Sequence, residues 1–146
     1  MERLQIRRFD ELSARELYAI LKLRVDVFVA EQNCPYHELD DRDQDAVHVW
    51  LEDIDGILAY LRIMDKGVES EYVSLGRVVT AKRRNGLGTR ILAEGIRIAN
   101  DIFHTDTLYL EAQTYAVPFY ETAGFQVISE PFMEDGIPHV KMLRKG

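Results

Sequence analysis

The chain has 146 residues, 47% of them hydrophobic, and a net charge of −7 from 25 acidic and 18 basic side chains. This predicts a single domain over residues 1–146 with a real core, and it excludes disorder. The acidic balance argues against nucleic-acid binding, no apolar run approaches the ~18 residues of a membrane span, and the first residues lack a signal-peptide core, so a cytoplasmic protein without nucleic-acid or membrane partners is expected. The single cysteine, Cys34, offers neither an internal disulfide nor a metal framework. An acidic surface is compatible with a cationic or amine substrate.

Leu4–Arg8 alternates apolar and polar side chains and predicts a first strand. Ser13 and Glu16 fit a capping box. The helix they open is expected to run from about Ala14 to Glu31, with Leu17, Ile20, Leu21, Val25, Phe28 and Val29 on one face. The acidic segment Tyr36–Asp45 shows no helix or strand pattern, and its carboxylates lack the spacing of a calcium loop. A solvated loop that also touches substrate, without a metal, is the expectation there. Ala46–Asp53 and Ile57–Asp65 are joined by the hairpin signal Asp55-Gly56. With Glu71–Thr80 they predict an antiparallel meander.

The stretch Ser74–Asn100 holds the strongest chemical signal. It reads as a strand, a basic and glycine-rich turn from Lys82 to Gly88, and a helix to about Phe103. Leu87, Ile91, Leu92, Gly95, Ile96 and Ala99 fall on one face of that helix. A turn of this kind leaves backbone N–H groups free at the helix start and suits a phosphate or pyrophosphate. Leu108–Gln113 should then run parallel to Ser74–Thr80 after a right-handed crossover. A short helix over about Val117–Ala123 ends at Gly124. Phe125–Ser129 and His139–Leu143 complete the strands, linked by Glu134–Pro138.

Three phosphate-loop patterns compete for the turn. The triphosphate loop needs a lysine after its second glycine, and Thr89 follows Gly88 directly. The dinucleotide fingerprint needs a third glycine where Ile91 stands. The pattern that fits is Arg-x-x-Gly-x-Gly, as Arg83-Arg84-Asn85-Gly86-Leu87-Gly88.

That loop between a strand and a long helix resembles the GCN5-related N-acetyltransferase (GNAT) family. A second signature is matched downstream by Ala116, Tyr120 and Gly124-Phe125. Leu23–Tyr36 and Glu134–His139 resemble the ElaA-like branch. The resemblance covers nearly the whole chain. It implies an α+β fold, with a central mixed, mostly antiparallel sheet of about six to seven strands, a splayed parallel pair and flanking helices.

It further implies an acetyltransferase that moves an acetyl group from acetyl-CoA to a small-molecule or peptide amine, by direct attack in a ternary complex. Arg84, Gly86, Gly88 and Thr89 would hold the pyrophosphate, with Arg83 leading the motif. Val78 and Val79 would pair with the pantetheine arm, Gln113 would touch it, and Phe119 would pack on CoA. Tyr120 would protonate the departing thiolate. Arg24, Gln32 and His139 are candidates for the acceptor pocket. Glu111, His139, His48 and the carboxylates of Asp40–Asp45 remain open as the base. No metal is implied, and a homodimer is compatible with the fold. The rival reading is a non-catalytic acyl-CoA-binding or regulatory module that keeps the loop without turnover.

Overall fold

The computed structural model describes residues 1–31, 38–81 and 86–146. In chain order the elements are β1 (Arg3–Arg8), α1 (Ala14–Arg24), β2 (Ala46–Asp53), β3 (Gly56–Met64), β4 (Val73–Thr80), α2 (Leu87–Phe103), β5 (Leu108–Gln113), α3 (Val117–Glu121), β6 (Phe125–Val127), β7 (Phe132–Glu134) and β8 (Ile137–Arg144). One mixed sheet runs β1-β2-β3-β4-β5-β8-β6, with β7 added on β8. All its pairings are antiparallel except β4 with β5.

The core follows from two apolar faces. β2 and β3 are buried over most of their length, as strands covered on both sides are. One side is covered by α2, whose Leu87, Ile91, Leu92, Gly95, Ile98 and Ala99 are buried. α2 approaches the sheet closely, since a Cβ on Gly95 would lie 2.6 Å from a Leu61 methyl. The other side is covered by α1 and the turns after it, where Ile20 packs with Trp50, Tyr60 and Val79.

Two expectations change. The first helix is α-helical only to Arg24, and Val25–Glu31 winds on as a π-helix. The wider turn rotates the face, so Val25 is exposed while Leu23, Val27 and Phe28 pack inward. The sheet has eight described strands rather than six or seven. The additional strand, β7, forms a tight hairpin with β8 through Asp135-Gly136, both at positive φ. Three residues with exposed Met133 and Glu134 carry no alternation to betray a strand.

Candidate active site

β4 and β5 pair only at Val73 with Leu108 and Ser74 with Tyr109, and then part. The gap opens into a cavity of about 640 Å³. Val78, Val79, Gly88, Gln113, Phe119, Tyr120 and His139 all line it, although they come from β4, α2, β5, α3 and β8.

On its other edge β4 carries a bulge. Tyr60 opposes Val79 and Arg62 opposes Gly76, so Arg77 and Val78 together face the single residue Leu61. The Ala81 N–H donates to the Leu58 carbonyl at 2.9 Å. Counting along the ladder from that bond, the Val79 peptide groups turn toward Tyr60, and those of Arg77 and Val78 fall between ladder bonds. Arg77 sits at φ +54°, in the left-handed region. For a residue with a Cβ that conformation costs about 1–2 kcal/mol and persists only when its surroundings enforce it.

The start of α2 borders the same cavity. Gly86 is its N-cap at φ +90° and, as a glycine, has no side chain of its own to cap this end. The first N–H groups of a helix have no intrahelical acceptor, which leaves them to an anion. A Cβ on Gly88 would lie 3.4 Å from the Phe119 ring, so α3 packs directly on the turn that opens α2. Gly86 and Thr89 are exposed and do not line the main cavity. Thr89 instead borders a second cavity of about 300 Å³ behind Phe119. Arg83 and Arg84 lie outside the described residues, as do Gln32 and Cys34.

Tyr120 meets Phe119 and Phe125 edge-on, with ring centres 5.0 and 6.1 Å away. Burial pushes its pKa well above that of a free phenol. At neutral pH its hydroxyl is therefore protonated and able to donate.

The acidic segment does not behave as a solvated loop. Glu38 and Asp43 are buried, and they meet buried arginines. Arg24 Nε donates to Glu38 Oε2 at 2.6 Å and its Nη1 to Asp43 Oδ1 at 2.7 Å. Arg62 Nη1 donates to Asp43 Oδ1 at 2.9 Å and to Asp40 Oδ1 at 3.0 Å. Arg77 Nε donates to Glu38 Oε2 at 2.7 Å. Burial alone would raise the pKa of Asp40, but Arg62, with Arg77, outweighs it and holds the value at about 2.

Arg24 has no solvent exposure and does not line the cavity, so its guanidinium serves this ionic core rather than the acceptor pocket. His48 is likewise buried, between the Tyr60 hydroxyl at 2.7 Å and the Asp43 carbonyl at 2.9 Å, and does not reach the cavity. Of the acidic segment's described side chains, only Asp40 lines it.

The cavity lining also carries Glu69, Glu111 and Glu134 beside His139. Glu69 Oε1 lies 3.6 Å from Arg62 Nη2, at the edge of the ionic core. The Tyr109 hydroxyl donates to Glu111 Oε2 at 2.7 Å. His139 Nε2 lies 3.6 Å from Glu134 Oε2, and its Nδ1 is 2.8 Å from the Ile137 carbonyl. Burial, then the charge of Glu111, raises the Glu134 pKa, with His139 opposing. Sequence reading missed Arg62, Arg77, Glu69 and Glu134. Their one signal is a matched set of arginines and carboxylates scattered over separate elements, and spacing along the chain does not connect those.

An open slot between two parted parallel strands, a helix N-terminus at its mouth and a protonated tyrosine inside it define an acyl-CoA-dependent N-acyltransferase. The chain belongs to the GNAT acetyltransferase family, whose acetyltransferase (GNAT) domain model matches residues 16–145. It is similar to the protein ElaA of Escherichia coli, with 37% identity over 140 residues covering 93% of this chain and 92% of ElaA. The crystal structure of E. coli ElaA matches with a TM-score of 0.91 at 36% identity, covering 99% of this chain and 100% of that one.

An acyl-CoA N-acyltransferase from Pseudomonas aeruginosa also matches with a TM-score of 0.91, at 35% identity over 97% of this chain and 99% of the other. A UPF0039 protein of Mycobacterium tuberculosis is 42% identical over 142 residues, 93% of this chain and 88% of that protein. The reaction partners of the fold are thus an acyl-CoA and an amine. No helix among the described residues is long and apolar enough to cross a membrane.

Proposed function

We propose that the protein is a cytoplasmic acetyltransferase that moves an acetyl group from acetyl-CoA to a cationic amine, within a ternary complex. The observation that carries this reading is the cavity itself, in which Val78, Gly88, Gln113 and Tyr120 line the same space as Glu111 and Glu134. The first set suits the donor: backbone for the pantetheine arm, a helix start for the pyrophosphate, a hydroxyl for the sulfur. The second set suits an ammonium group and the proton it must lose.

The Val78 peptide group polarises the thioester carbonyl. Glu111 accepts the proton from the ammonium, which frees the nitrogen lone pair. The nitrogen attacks the acetyl carbon, the carbon–sulfur bond breaks, and Tyr120 gives its proton to the leaving thiolate. The nitrogen sheds its second proton as the amide forms, and that proton restores Tyr120 through solvent, so the net release is the one proton taken up by Glu111. Orientation of the two substrates in one slot supplies much of the rate.

A panel of amines with acetyl-CoA, read by release of free thiol, tests this. Turnover with diamines and with other cationic amines that carry no acid group is the expected result, with little for amines bearing a carboxylate. Acetyl-CoA should raise Tm while ATP and NAD leave it in place. A larger shift with ATP, or acetylation confined to acidic amines, overturns the reading.

A further inference from the structure

Arg77 is the residue on which the ionic core and the acyl slot meet. It occupies the bulge of β4 at φ +54°, lines the cavity, and immediately precedes Val78 and Val79. Its side chain grips Glu38 twice, Nε to the carboxylate at 2.7 Å and Nη2 to the main-chain carbonyl at 3.2 Å. Arg24 grips the same residue in the same manner from the other side, at 2.6 and 3.2 Å. Nη2 of Arg77 also lies 3.4 Å from Asp40 Oδ2, a carboxylate fixed by Arg62.

We propose that Arg77 is a positioning residue for acyl transfer: clamped by Glu38, it holds the β4 bulge in the backbone geometry that presents Val78 to the acyl group. This inference rests on the reading that the thioester lies along β4.

The placement argues for a clamp. A left-handed position needs no side chain, and glycine adopts it freely. An arginine there adds strain, which is sustained only because the guanidinium is tied to a buried anchor. That anchor is set by Arg24, from the end of α1, so the bulge is referenced to the far layer of the fold rather than to its own strand. Acyl transfer is sensitive to this. An error of about 1 Å in how a reacting group is held can lower rate by ~10²-fold.

Three variants separate the clamp from the backbone conformation. Arg77→Gly accepts the left-handed position and loses the tether. Arg77→Lys keeps a charge but cannot form the forked contact. Arg77→Ala loses the tether and keeps the strain. The expected result is that Arg77→Gly folds, keeps KM for acetyl-CoA within about threefold, and loses kcat by about 10–100-fold, with Arg77→Lys between it and the wild type.

Amide hydrogen exchange at Val79, followed without substrate, should quicken about tenfold in Arg77→Gly. Unchanged exchange at Val79, or a kcat of Arg77→Gly within twofold of wild type, overturns the proposal. If the wild type transfers acetyl groups to no amine, the proposed function fails, and the exchange measurement still decides whether Arg77 holds the bulge.

Discussion

Two groups of carboxylates stand around one cavity, the first reaching it only through Asp40, and their surroundings are opposite. Glu38, Asp40 and Asp43 each meet arginine, and Arg24 and Arg62 are almost wholly buried in doing so. Glu111 and Glu134 meet each other, Tyr109 and a histidine, and no arginine or lysine among the described residues lies within ion-pair distance of either. Both groups are equally acidic by composition. What separates them is whether the fold has already supplied the countercharge. Where it has, the charge is architecture. Where it has not, the site favours a cation from outside.

The contrast breaks most visibly on the paired side. Arg24→Ala should destabilise the fold by about 3–5 kcal/mol, because it leaves Glu38 and Asp43 buried without their partner. Glu111→Ala, by comparison, should change stability by no more than ~0.5 kcal/mol. Chemical denaturation of both variants checks this, and equal losses would erase the distinction drawn here. Asp40, on the paired side, is also insensitive to mild acid. Asp40 has its pKa depressed to about 2, so its contribution to stability is complete above the unfolded value of 3.8 and fades only as pH falls toward 2.

On the donor side the largest kinetic effect belongs to Tyr120. Tyr120→Phe removes the acid and leaves the ring contacts with Phe119 and Phe125. A fall in kcat of about 10²-fold is expected, with acetyl-CoA affinity nearly intact. Full turnover at saturation would take Tyr120 out of that role.

Legible in the sequence was the grouping of the cavity residues proposed for the donor. Those residues cluster along the chain, since one strand–turn–helix unit and one short helix hold most of them, and local spacing encodes local geometry. The antiparallel meander and the face of α2 were legible for the same reason. The π-helical turn after Arg24 was not, because a wide turn uses the same residue types as an α-helix. Arg24 also sits in line with Ile20 on the inward face, where periodicity expects an apolar residue. The partners that keep it there lie 14 and 19 residues further on. The carboxylates proposed to meet the acceptor, Glu111 and Glu134, come from β5 and β7, so they stand together only once the sheet is formed.

On the unpaired side the informative effect is a difference. Glu111→Gln removes the proposed base and should lower kcat/KM for every amine by about 10²-fold, and for a diamine by about tenfold more, since a second ammonium group depends more on the acidic wall. Parallel losses for both amines would confine Glu111 to proton transfer.

Glu134→Gln makes the finest test, because stability and activity should move in opposite directions. The Glu134 pKa is raised in the folded state by burial and then by Glu111. Its stabilising contribution is therefore complete below the unfolded pKa and lost as pH rises through the folded value, so at neutral pH the ionised group weighs against folding. Glutamine removes that charge. Glu134 is about half exposed, at 47%, and screening limits the gain to ~0.5 kcal/mol, or about 1–2 °C in Tm at pH 7 and none at pH 4. A variant that is slightly more stable and poorer with cationic amines is what an acidic wall kept for a ligand predicts. A variant less stable at pH 7 would instead place Glu134 with the carboxylates that hold the fold together.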